Sequence, residues 1–399
     1  MISVTEAQAI IRDCYRDLGT EQVPLSEATD RILAQDIVAD RDFPPYDRIA
    51  MDGIAIAFQA WQHGIRQFPV SGMAAAGSPL QTLRHPTHSI EVATGAMLPK
   101  NADTIIPYEE MELENGIAAI TATTVRQGQN IHRHGTDSRM GTLLLAKQTQ
   151  LTPTAIGLLA TVGQADVRVR KVPRIAICST GDELVAITET PAPHQIRRSN
   201  NYMLAAALQR EGIRADTYHL PDDKATLLKN LPDILDRYDA VLFSGAVSKG
   251  AYDFLPQVLD RLGMQTRFHR IAQKPGKPML LGTFENSCIV FGFPGNPVST
   301  MVCYAVYFRN WLYQVLGTKQ PLCSAQLATN VSFAPPLTYH LLVTLQLEDG
   351  VLKATPCAGT TSGDLIGLEA TDGILSLPAD RNQFSAGEAF PVCLLNPLR

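Results

Sequence analysis

Several familiar class markers are missing from this sequence of 399 residues. Its seven cysteines show no Cys-x-x-Cys spacing, which excludes a zinc knuckle and a thioredoxin-type redox motif. Their odd number and wide spacing are typical of the reducing cytosol, so we expect free thiols and a cytoplasmic protein. The N-terminal stretch offers neither a basic segment nor a long apolar one, and we expect no signal peptide.

Neither a basic surplus nor a long apolar run is present. Lys and Arg number 34 against 39 Asp and Glu, a formal net charge of −5, which argues against a general nucleic-acid-binding protein. No uninterrupted apolar run approaches the roughly 20 residues of a membrane-spanning helix, so we expect no membrane partner. The loops GxxxxGK[ST] and GxGxxG are absent, which disfavours a plain ATPase and a dinucleotide oxidoreductase, and so are GxSxG and HExxH.

The N-terminal part of the chain predicts one small domain inserted into another. A capping box, SVTE (3–6), opens a helix that we expect to run from Val4 to about Leu18. Two prolines in residues 41–46 mark a loop and a domain boundary. Short alternating apolar runs over 51–131 predict an all-β domain. A Thr-Pro pair at 152–153 then starts a second helix, and packing of this helix on the first would make the outer domain discontinuous.

From Pro173 onward, strands alternate with helices, which is typical of a mostly parallel sheet covered on both faces. We expect Ser199 to cap one of these helices. Short strands and turns from Ala325 to Arg399 predict a small β-barrel or sandwich. The predicted strands are 174–179, 214–220, 240–244, 265–271, 279–282 and 287–292, and the predicted helices are 200–211, 222–238, 253–262 and one from 298 onward.

Unusual loops follow three of the predicted strands, at the carboxyl ends where open parallel sheets bind their ligands. These loops are TGDE (180–183), GAVSKG (245–250) with Asp253 beyond it, and FPGNPVS (293–299). A fourth segment, KPGKP (274–278), carries two lysines on a rigid turn. Each segment alone is more often an ordinary turn or a helix cap.

Taken together, the four loops predict a metal-assisted site for a phosphorylated ligand. Small residues let backbone N–H groups approach an anion. Lys274 and Lys277 supply positive charge for phosphate or another oxyanion. Glu183 and Asp253 supply the hard oxygen ligands that Mg²⁺ uses beside substrate phosphates.

Three further polar clusters lie outside the predicted sheet. Asp52 stands in an AMDG string that an ordinary Asp-Gly turn would explain. The string NIHRHGTDS (130–138) contains His132 and Asp137, which could belong to a metal site. This signal is weak by itself, and a solvated polar loop explains the string better. The string GTTSGD (359–364) by itself predicts only a flexible turn.

In their order along the chain, these segments resemble the molybdopterin molybdenumtransferase family, which comprises MoeA and the E domain of gephyrin-type proteins. Each string is a modest signal by itself, whereas the ordered set is specific and covers most of the chain. The matching strings are DFPPYDRIAMDG (42–53), ATGAMLPKNAD (93–103), GQNIHRHGTD (128–137), STGDEL (179–184), SGAVSKGAYD (244–253), KPGKP (274–278), FPGNPVS (293–299) and, more weakly, TTSGDL (360–365).

The resemblance implies a multidomain α/β plus β protein with an elongated protomer that forms a homodimer. It places the site in a cleft between the α/β domain of one subunit and the β domain of the other. The implied parts are a discontinuous N-terminal domain (1–45 and 140–172), an inserted β domain (46–139), a molybdopterin-binding α/β domain similar to molybdopterin adenylyltransferase with a mostly parallel sheet (173–320), and a C-terminal β-barrel (321–399).

The activity implied by the resemblance is Mg²⁺-dependent insertion of molybdate into adenylylated molybdopterin, with release of AMP. The two lysines of KPGKP and Ser299 are expected to hold molybdate or phosphate. The expected catalytic residues are Asp52 and Asp137 from the partner subunit, with Glu183 and Asp253 as metal ligands. The residues expected to bind the cofactor substrate are Thr94, Gly181, Asp182, Ser244, Gly245, Ser248, Lys274, Lys277, Pro294, Gly295, Asn296, Ser299 and Ser362.

Two alternative functions stay open. A molybdopterin adenylyltransferase, which consumes ATP, shares the α/β fold, but the long N-terminal region with its AMDG string argues against it. A non-catalytic cofactor-binding scaffold of the gephyrin type belongs to another class, and the retained acids and lysines argue for an active site instead. The expected partners besides the second subunit are a molybdopterin adenylyltransferase and molybdoenzyme apoproteins.

The sequence departs from the family's pattern at four places. Ala246 stands where a second glycine is usual, Arg48-Ile49 replaces an asparagine-serine pair, and His132 stands where arginine is frequent. Leu341 replaces an arginine in the predicted barrel, which leaves Ser362 as the only barrel residue carried over. These departures leave open a preference for tungstate, a slower turnover or a scaffold role.

Overall fold

The structure is a computed structural model that describes residues 1–245, 254–286, 288–319, 323–357 and 361–396. It divides into two compact units, each built from more than one segment of the chain. Unit 1 comprises Met1–Val23, Asp30–Ala34 and Arg168–Arg399, and unit 2 comprises Pro24–Thr29 and Gln35–Val167. The finer domain boundaries expected from the sequence stay predictions.

A six-stranded mixed sheet forms the main part of unit 2. Its strand Gly53–Ile56 is buried at every residue, and glycine is required at its start because a Cβ there would lie 2.0 Å from the Ile106 carbonyl oxygen. The sheet confirms the predicted β character of residues 51–131, with one short helix, Phe58–Gln62, in addition. In spatial order its strands are Thr104–Pro107, Gly53–Ile56, Ser89–Val92, Gln67–Ala74, Ile117–Ile120 and Met111–Glu114.

Smaller elements complete unit 2. The helix Pro153–Thr161 begins where the Thr-Pro pair predicts, because the Thr152 hydroxyl accepts a hydrogen bond from the Ala155 backbone N–H. The other elements are the antiparallel pairs Ile37–Val38 with Leu143–Leu145 and Arg48–Ile49 with Ile131–His132, and the 3-10 helices Leu25–Glu27 and Tyr108–Glu110.

The first helix of unit 1 is shorter than predicted. Both hydrogen bonds of the capping box between Ser3 and Glu6 form, as expected. The helix spans Val4–Asp13, however, and does not reach Leu18. In the segment that follows, the Asp17 carboxylate accepts a hydrogen bond at 2.7 Å from the Gly19 backbone N–H.

The centre of unit 1 is a six-stranded sheet with the predicted, mostly parallel arrangement. The first four strands run parallel, and the last two are antiparallel to their neighbours. The second, third and fourth strands are buried at every residue, as expected for a sheet that is covered on both faces. In spatial order the strands are Ala215–Leu220, Ile175–Thr180, Ala240–Ser244, Ile289–Phe293, Leu280–Thr283 and Gln265–His269.

Two apolar cores lie on opposite faces of this sheet, because alternate residues of a strand point to opposite sides. Leu242 and Phe291 belong to one core, whereas Val241 and Val290 belong to the other. The long helix predicted from residue 298 contains one buried π-helical segment. The helical segments are Asn200–Arg210, Lys224–Arg237, Leu255–Arg261, Pro297–Cys303, the π-segment Tyr304–Phe308 and Arg309–Leu316.

The predicted helix cap at Ser199 is wrong. Ser199 already has helical backbone angles, and its hydroxyl makes no capping hydrogen bond. Asn200, the first residue of the helix, uses its side chain to bind the ends of two strands. Asp223, by contrast, caps the helix Lys224–Arg237 by accepting a hydrogen bond from a backbone N–H at 2.8 Å.

A closed five-stranded β-barrel forms the C-terminal part of unit 1, which decides between the predicted barrel and sandwich. A short strand, Gln273–Lys274, pairs in parallel with the first barrel strand and so joins the KPGKP segment to the barrel. Around the barrel the strands are Thr338–Glu348, Val351–Pro356, Cys323–Leu327, Ala389–Leu394 and Gly373–Leu377, and the last pairs with the first.

A few short elements remain. No helix among the described residues is long and apolar enough to cross a membrane. The remaining elements are the strands Thr20–Pro24, Asp166–Arg170, Leu184–Val185, Ile196–Arg197, Val331–Ser332 and Gln383–Phe384 and the helix Leu365–Glu369.

Candidate functional site

Three predicted loops meet at the carboxyl ends of adjacent strands in unit 1. The Gly245 backbone N–H donates to the Phe293 carbonyl at 3.2 Å. Gly245 has a φ of +100°, and a Cβ there would lie 3.0 Å from the Thr180 carbonyl oxygen. A Cβ on Gly295 would lie 3.7 Å from the Gly245 Cα. The glycines therefore let three loop backbones approach one another closely.

Asn200 ties these strand ends together. Its Nδ2 donates at 2.7 Å both to the Ser244 hydroxyl and to the Gly295 carbonyl. Its Oδ1 is buried and finds no hydrogen-bond partner among the described residues, and the same holds for the Thr180 hydroxyl. Buried polar atoms without partners are uncommon in folded proteins and mark a place where a ligand could bind. A cavity of about 220 Å³ adjoins them, and its charged lining residues are Glu183, Arg197 and Arg198.

Glu183 brings a carboxylate to this cavity. Gly181 has a φ of +131°, and a Cβ on it would lie 2.4 Å from Glu183 Oε2, so the carboxylate folds directly over the glycine. The described residues offer that carboxylate neither a hydrogen bond nor an ion pair. Asp182 lies nearby and accepts a hydrogen bond from the Asp222 backbone N–H at 3.2 Å. Burial, followed by the charges of these two acids, raises the pKa of Asp222.

A single carboxylate with free oxygens suits a hard cation that also binds substrate phosphate. Within the described ranges, no three His, Cys, Asp or Glu side chains form a group that could hold a metal ion. The second expected ligand, Asp253, lies outside the described residues, and so do Ser248 and Ala246.

A second, larger cavity of about 610 Å³ lies between the KPGKP segment and the barrel. Four of the predicted binding residues line it, Lys274, Lys277, Ser299 and Ser362. Asn296 lines both cavities, which are therefore adjacent. The remaining predicted binding residue of this region, Pro294, also lines the larger cavity.

The two lysines keep their charge available for an anion. In the part of the chain that the structure describes, neither Lys274 nor Lys277 is paired with a carboxylate. The Lys274 ammonium lies 5.8 Å from the centroid of the Phe333 ring, a cation–π contact that orients it without neutralising it. Two positive charges at one cavity favour a multiply charged oxyanion.

The barrel loop is fastened to the α/β sheet at this cavity. Asn296 Nδ2 donates to the Ser362 hydroxyl at 2.8 Å, and the Val298 backbone N–H donates to the Ser362 carbonyl at 3.1 Å. Leu341, by contrast, is buried in the barrel core and does not line the cavity. Leu341 therefore gives the cavity no charge, and Ser362 is placed there as expected.

The remaining predicted site residues lie in unit 2. Asp52 Oδ1 accepts hydrogen bonds from the Thr94 backbone N–H at 2.6 Å and hydroxyl at 2.8 Å, and these bonds lower the pKa of Asp52. Glu91 accepts a hydrogen bond from Tyr108 near this pair, and burial together with that bond raises the pKa of Tyr108 to about 12. Asp52 is thus an ionised, positioned carboxylate.

Asp137 is paired with a residue that departs from the family's pattern. Its Oδ1 lies 2.7 Å from His132 Nε2, and His132 Nδ1 lies 3.0 Å from Arg48 Nη2. The Asp137 backbone N–H donates to the Phe43 carbonyl at 2.9 Å, which fixes the loop. Two of the four departures, Arg48 and His132, are therefore in direct contact.

Several residues that line the cavities were not predicted from the sequence. Arg197 and Arg198 form a basic pair just before a predicted helix, a signal that was visible in the sequence. Gln273, Tyr339 and His340 line the larger cavity from the short strand and the barrel. They had no local signal, because they meet only through the pairing of Gln273–Lys274 with the barrel strand.

Fold and cavities together define a multidomain protein with a lysine-bearing cavity where its α/β sheet meets a C-terminal barrel. Three family profiles match the chain in succession. They are described as the MoeA N-terminal region (domain I and II) over residues 2–163, a probable molybdopterin binding domain over 176–314, and the MoeA C-terminal region (domain IV) over 324–395. The chain belongs to the MoeA family, which confirms the resemblance noted in the sequence.

Relatives match along the whole chain. A protein of Synechocystis named molybdopterin molybdenumtransferase is 40% identical over 395 residues, which cover 98% of this chain and 99% of the relative. A Bacillus subtilis protein of the same name is 28% identical over 403 residues, covering 97% and 93%. The solved structure of the molybdopterin biosynthesis moeA protein of Pyrococcus horikoshii OT3 superposes with a TM-score of 0.80 at 27% identity, covering 99% and 100%. This match confirms the multidomain α/β plus β fold.

Proposed function

We propose that this protein is a molybdopterin molybdenumtransferase, which inserts molybdate into adenylylated molybdopterin and releases AMP. One observation carries the proposal: in the described part of the chain, a cavity with two lysines that no carboxylate pairs adjoins, through Asn296, a cavity that holds the Glu183 carboxylate, which has no partner there. A cationic pocket next to a carboxylate suits an oxyanion beside a phosphoanhydride. The names of the relatives support the same activity.

In the proposed reaction, water cleaves the phosphoanhydride and AMP leaves. The dithiolene sulfurs bond to molybdenum, and their two protons leave with one molybdate oxygen as water. Lys274, Lys277 and Ser299 hold molybdate during this exchange, which needs concentrated positive charge. Because the substrate's own sulfurs receive the metal, no protein cysteine is required, and no disulfide is formed among the described residues.

Glu183 would hold a divalent cation or orient water at the smaller cavity. Mg²⁺, when bound, would neutralise charge on the phosphoanhydride, and Asp253 would be its second carboxylate ligand. Thr94, Gly181, Asp182, Ser244, Gly245 and Ser248 complete the substrate contacts in this proposal. Asp52 and Asp137 act from the partner subunit of a homodimer, where their side chains complete the acidic side of the site.

The protein acts in the cytoplasm, takes its substrate from a molybdopterin adenylyltransferase and passes its product to molybdoenzyme apoproteins. The adenylyltransferase alternative explains only the α/β part of the chain, whereas the curated relatives match nearly all of it. The scaffold alternative gives no reason for an unpaired carboxylate beside two unpaired lysines. No feature of the described residues specifically favours the adenylyltransferase or the scaffold over the molybdenumtransferase.

A bacterial strain that cannot insert molybdate provides the test. The wild-type gene should restore molybdoenzyme activity, and Glu183→Ala and Asp137→Ala should not, whereas the exposed control Asp233→Asn should. With purified protein, AMP release should require adenylylated molybdopterin and molybdate together. Equal rescue by all variants would remove the catalytic assignment. Adenylylation of molybdopterin from ATP by the protein alone would establish the adenylyltransferase instead.

A further inference from the structure

A buried polar network lies beneath the lysine-bearing segment. Gln273 Oε1 is shared by two donors, the Tyr307 hydroxyl and His340 Nε2, the latter at 3.1 Å. His340 Nδ1 lies 3.1 Å from the Ser376 hydroxyl. The network thus joins the barrel, through His340, to a helix of the α/β sheet, through Tyr307.

Only one arrangement of protons satisfies this network in full. An amide oxygen can only accept, so both Tyr307 and His340 Nε2 must donate to Gln273. With the His340 proton on Nε2, its Nδ1 accepts from the Ser376 hydroxyl. His340 and Gln273 are each 1% exposed, and burial lowers the pKa of His340 to about 4, so the ring is neutral near pH 7.

The side-chain nitrogen of Gln273 connects this network to the lysine-bearing turn. Gln273 Nε2 donates to the Gly276 carbonyl at 3.0 Å, directly between the two lysines in sequence. Gly276 has a φ of +85°, and a Cβ there would lie 2.7 Å from Cys303 Sγ and 2.9 Å from Gln273 Nε2. Cys303 Sγ also donates to the same carbonyl at 3.7 Å. The turn is thus packed tightly on the Gln273 amide and cannot move without breaking this contact.

We propose that Gln273 and His340 are positioning residues for the oxyanion cavity, holding the turn so that Lys274 and Lys277 converge on one anion. His340 fixes the Gln273 amide, and the amide fixes the turn. The barrel therefore contributes to anion binding through His340, although position 341 carries no charge. This inference rests on the proposed function, because it assumes that molybdate binds in this cavity.

The experiment compares KM values for the two substrates. Removal of the Nε2 donor in His340→Leu should raise the KM for molybdate about tenfold, a loss equivalent to one hydrogen bond, and leave the KM for adenylylated molybdopterin unchanged. His340→Gln keeps a neutral N–H near the same place, so its KM for molybdate should stay close to the wild-type value. Gln273→Met, which keeps the length of the side chain and removes the amide, should behave like His340→Leu.

Val343→Ala is the matched control for general destabilisation. Val343 is fully buried on the same barrel strand but packs in the barrel core, away from the network. It should lower the melting temperature without changing either KM. The proposal is overturned if Val343→Ala raises the molybdate KM as much as His340→Leu does, if both KM values rise together, or if His340→Gln gives no rescue.

A binding measurement separates this inference from the proposed function. Titration calorimetry with molybdate alone should show weaker binding to His340→Leu and Gln273→Met than to the wild type and His340→Gln. If the wild type binds molybdate in this pattern but releases no AMP, the proposed function fails and the positioning roles stand. If the wild type binds no molybdate, the positioning roles fail as well.

Discussion

His132 Nε2 lies 2.7 Å from the carboxylate oxygen Oδ1 of Asp137. The other ring nitrogen, Nδ1, lies 3.0 Å from Arg48 Nη2, and because a guanidinium can only donate, Nδ1 must accept. The proton of the neutral ring is therefore on Nε2 and is donated to Asp137. Arg48 thus sets the tautomer of His132, and His132 in turn orients the proposed catalytic carboxylate of Asp137. Residues that do not touch the substrate often orient functional groups in this way.

This contact predicts that His132 acts through Asp137. His132→Leu should lower the rate of AMP release about tenfold, whereas His132→Gln, which retains a donor to the carboxylate, should lose much less. Adding His132→Leu to Asp137→Ala should cost nothing further, because the partner is already absent. AMP release measured for the three variants and the double variant checks this. Additive losses in the double variant would show that His132 has a separate role.

The unpaired lysines predict a charge-dependent step in molybdate binding. Lys274→Ala and Lys277→Ala should each raise the KM for molybdate about tenfold or more, since each removes a charge-assisted contact. The exposed Lys229→Ala on the helix Lys224–Arg237 should leave this KM unchanged and serves as control. Added salt should raise the wild-type KM more than the KM of the lysine variants. An equal response to salt would mean that the lysine charges do not contact the anion.

Arg198 predicts an effect on the other substrate. Its Nε donates to the Val185 carbonyl at 3.3 Å, while the side chain lines the smaller cavity beside Glu183. Arg198→Ala should therefore raise the KM for adenylylated molybdopterin about tenfold and leave the KM for molybdate unchanged, the opposite of the lysine variants. The exposed Arg214→Ala should change neither value. If only the KM for molybdate rose, Arg198 would act on molybdate and not on adenylylated molybdopterin, and the prediction would be wrong.

Most of the α/β sheet could be predicted from the sequence because its strands are short apolar runs that end at glycine or polar residues. The strands at Ile175–Thr180 and Ala240–Ser244 begin and end within a residue of the expected bounds. The first helix was predicted too long, because no glycine or proline follows until Gly19, whereas the helix already ends at Asp13. Ser199 failed as a cap because its backbone is already helical, whereas a capping residue has non-helical backbone angles.

The candidate site was predictable where its chemistry is local. The lysines of KPGKP and the carboxylate of Glu183 stand in loops whose composition is unusual, and the structure places them at adjoining cavities. Gln273 and His340 were not predictable, because 67 residues separate them and only strand pairing brings them together. Local patterns carry no signal for contacts of that kind.

The burial of neutral His340 predicts a loss of stability in mild acid. Its pKa is about 4 in the folded protein and 6.5 in its ordinary state, so its contribution is complete above pH 6.5 and falls as the pH drops towards 4. At pH 5 the loss amounts to about 2 kcal/mol. His340→Gln cannot take up a proton, so the wild type should lose its advantage over this variant between pH 7.5 and pH 5. Urea unfolding of both proteins at the two pH values measures this, and a constant difference would mean that folding does not lower the pKa of His340.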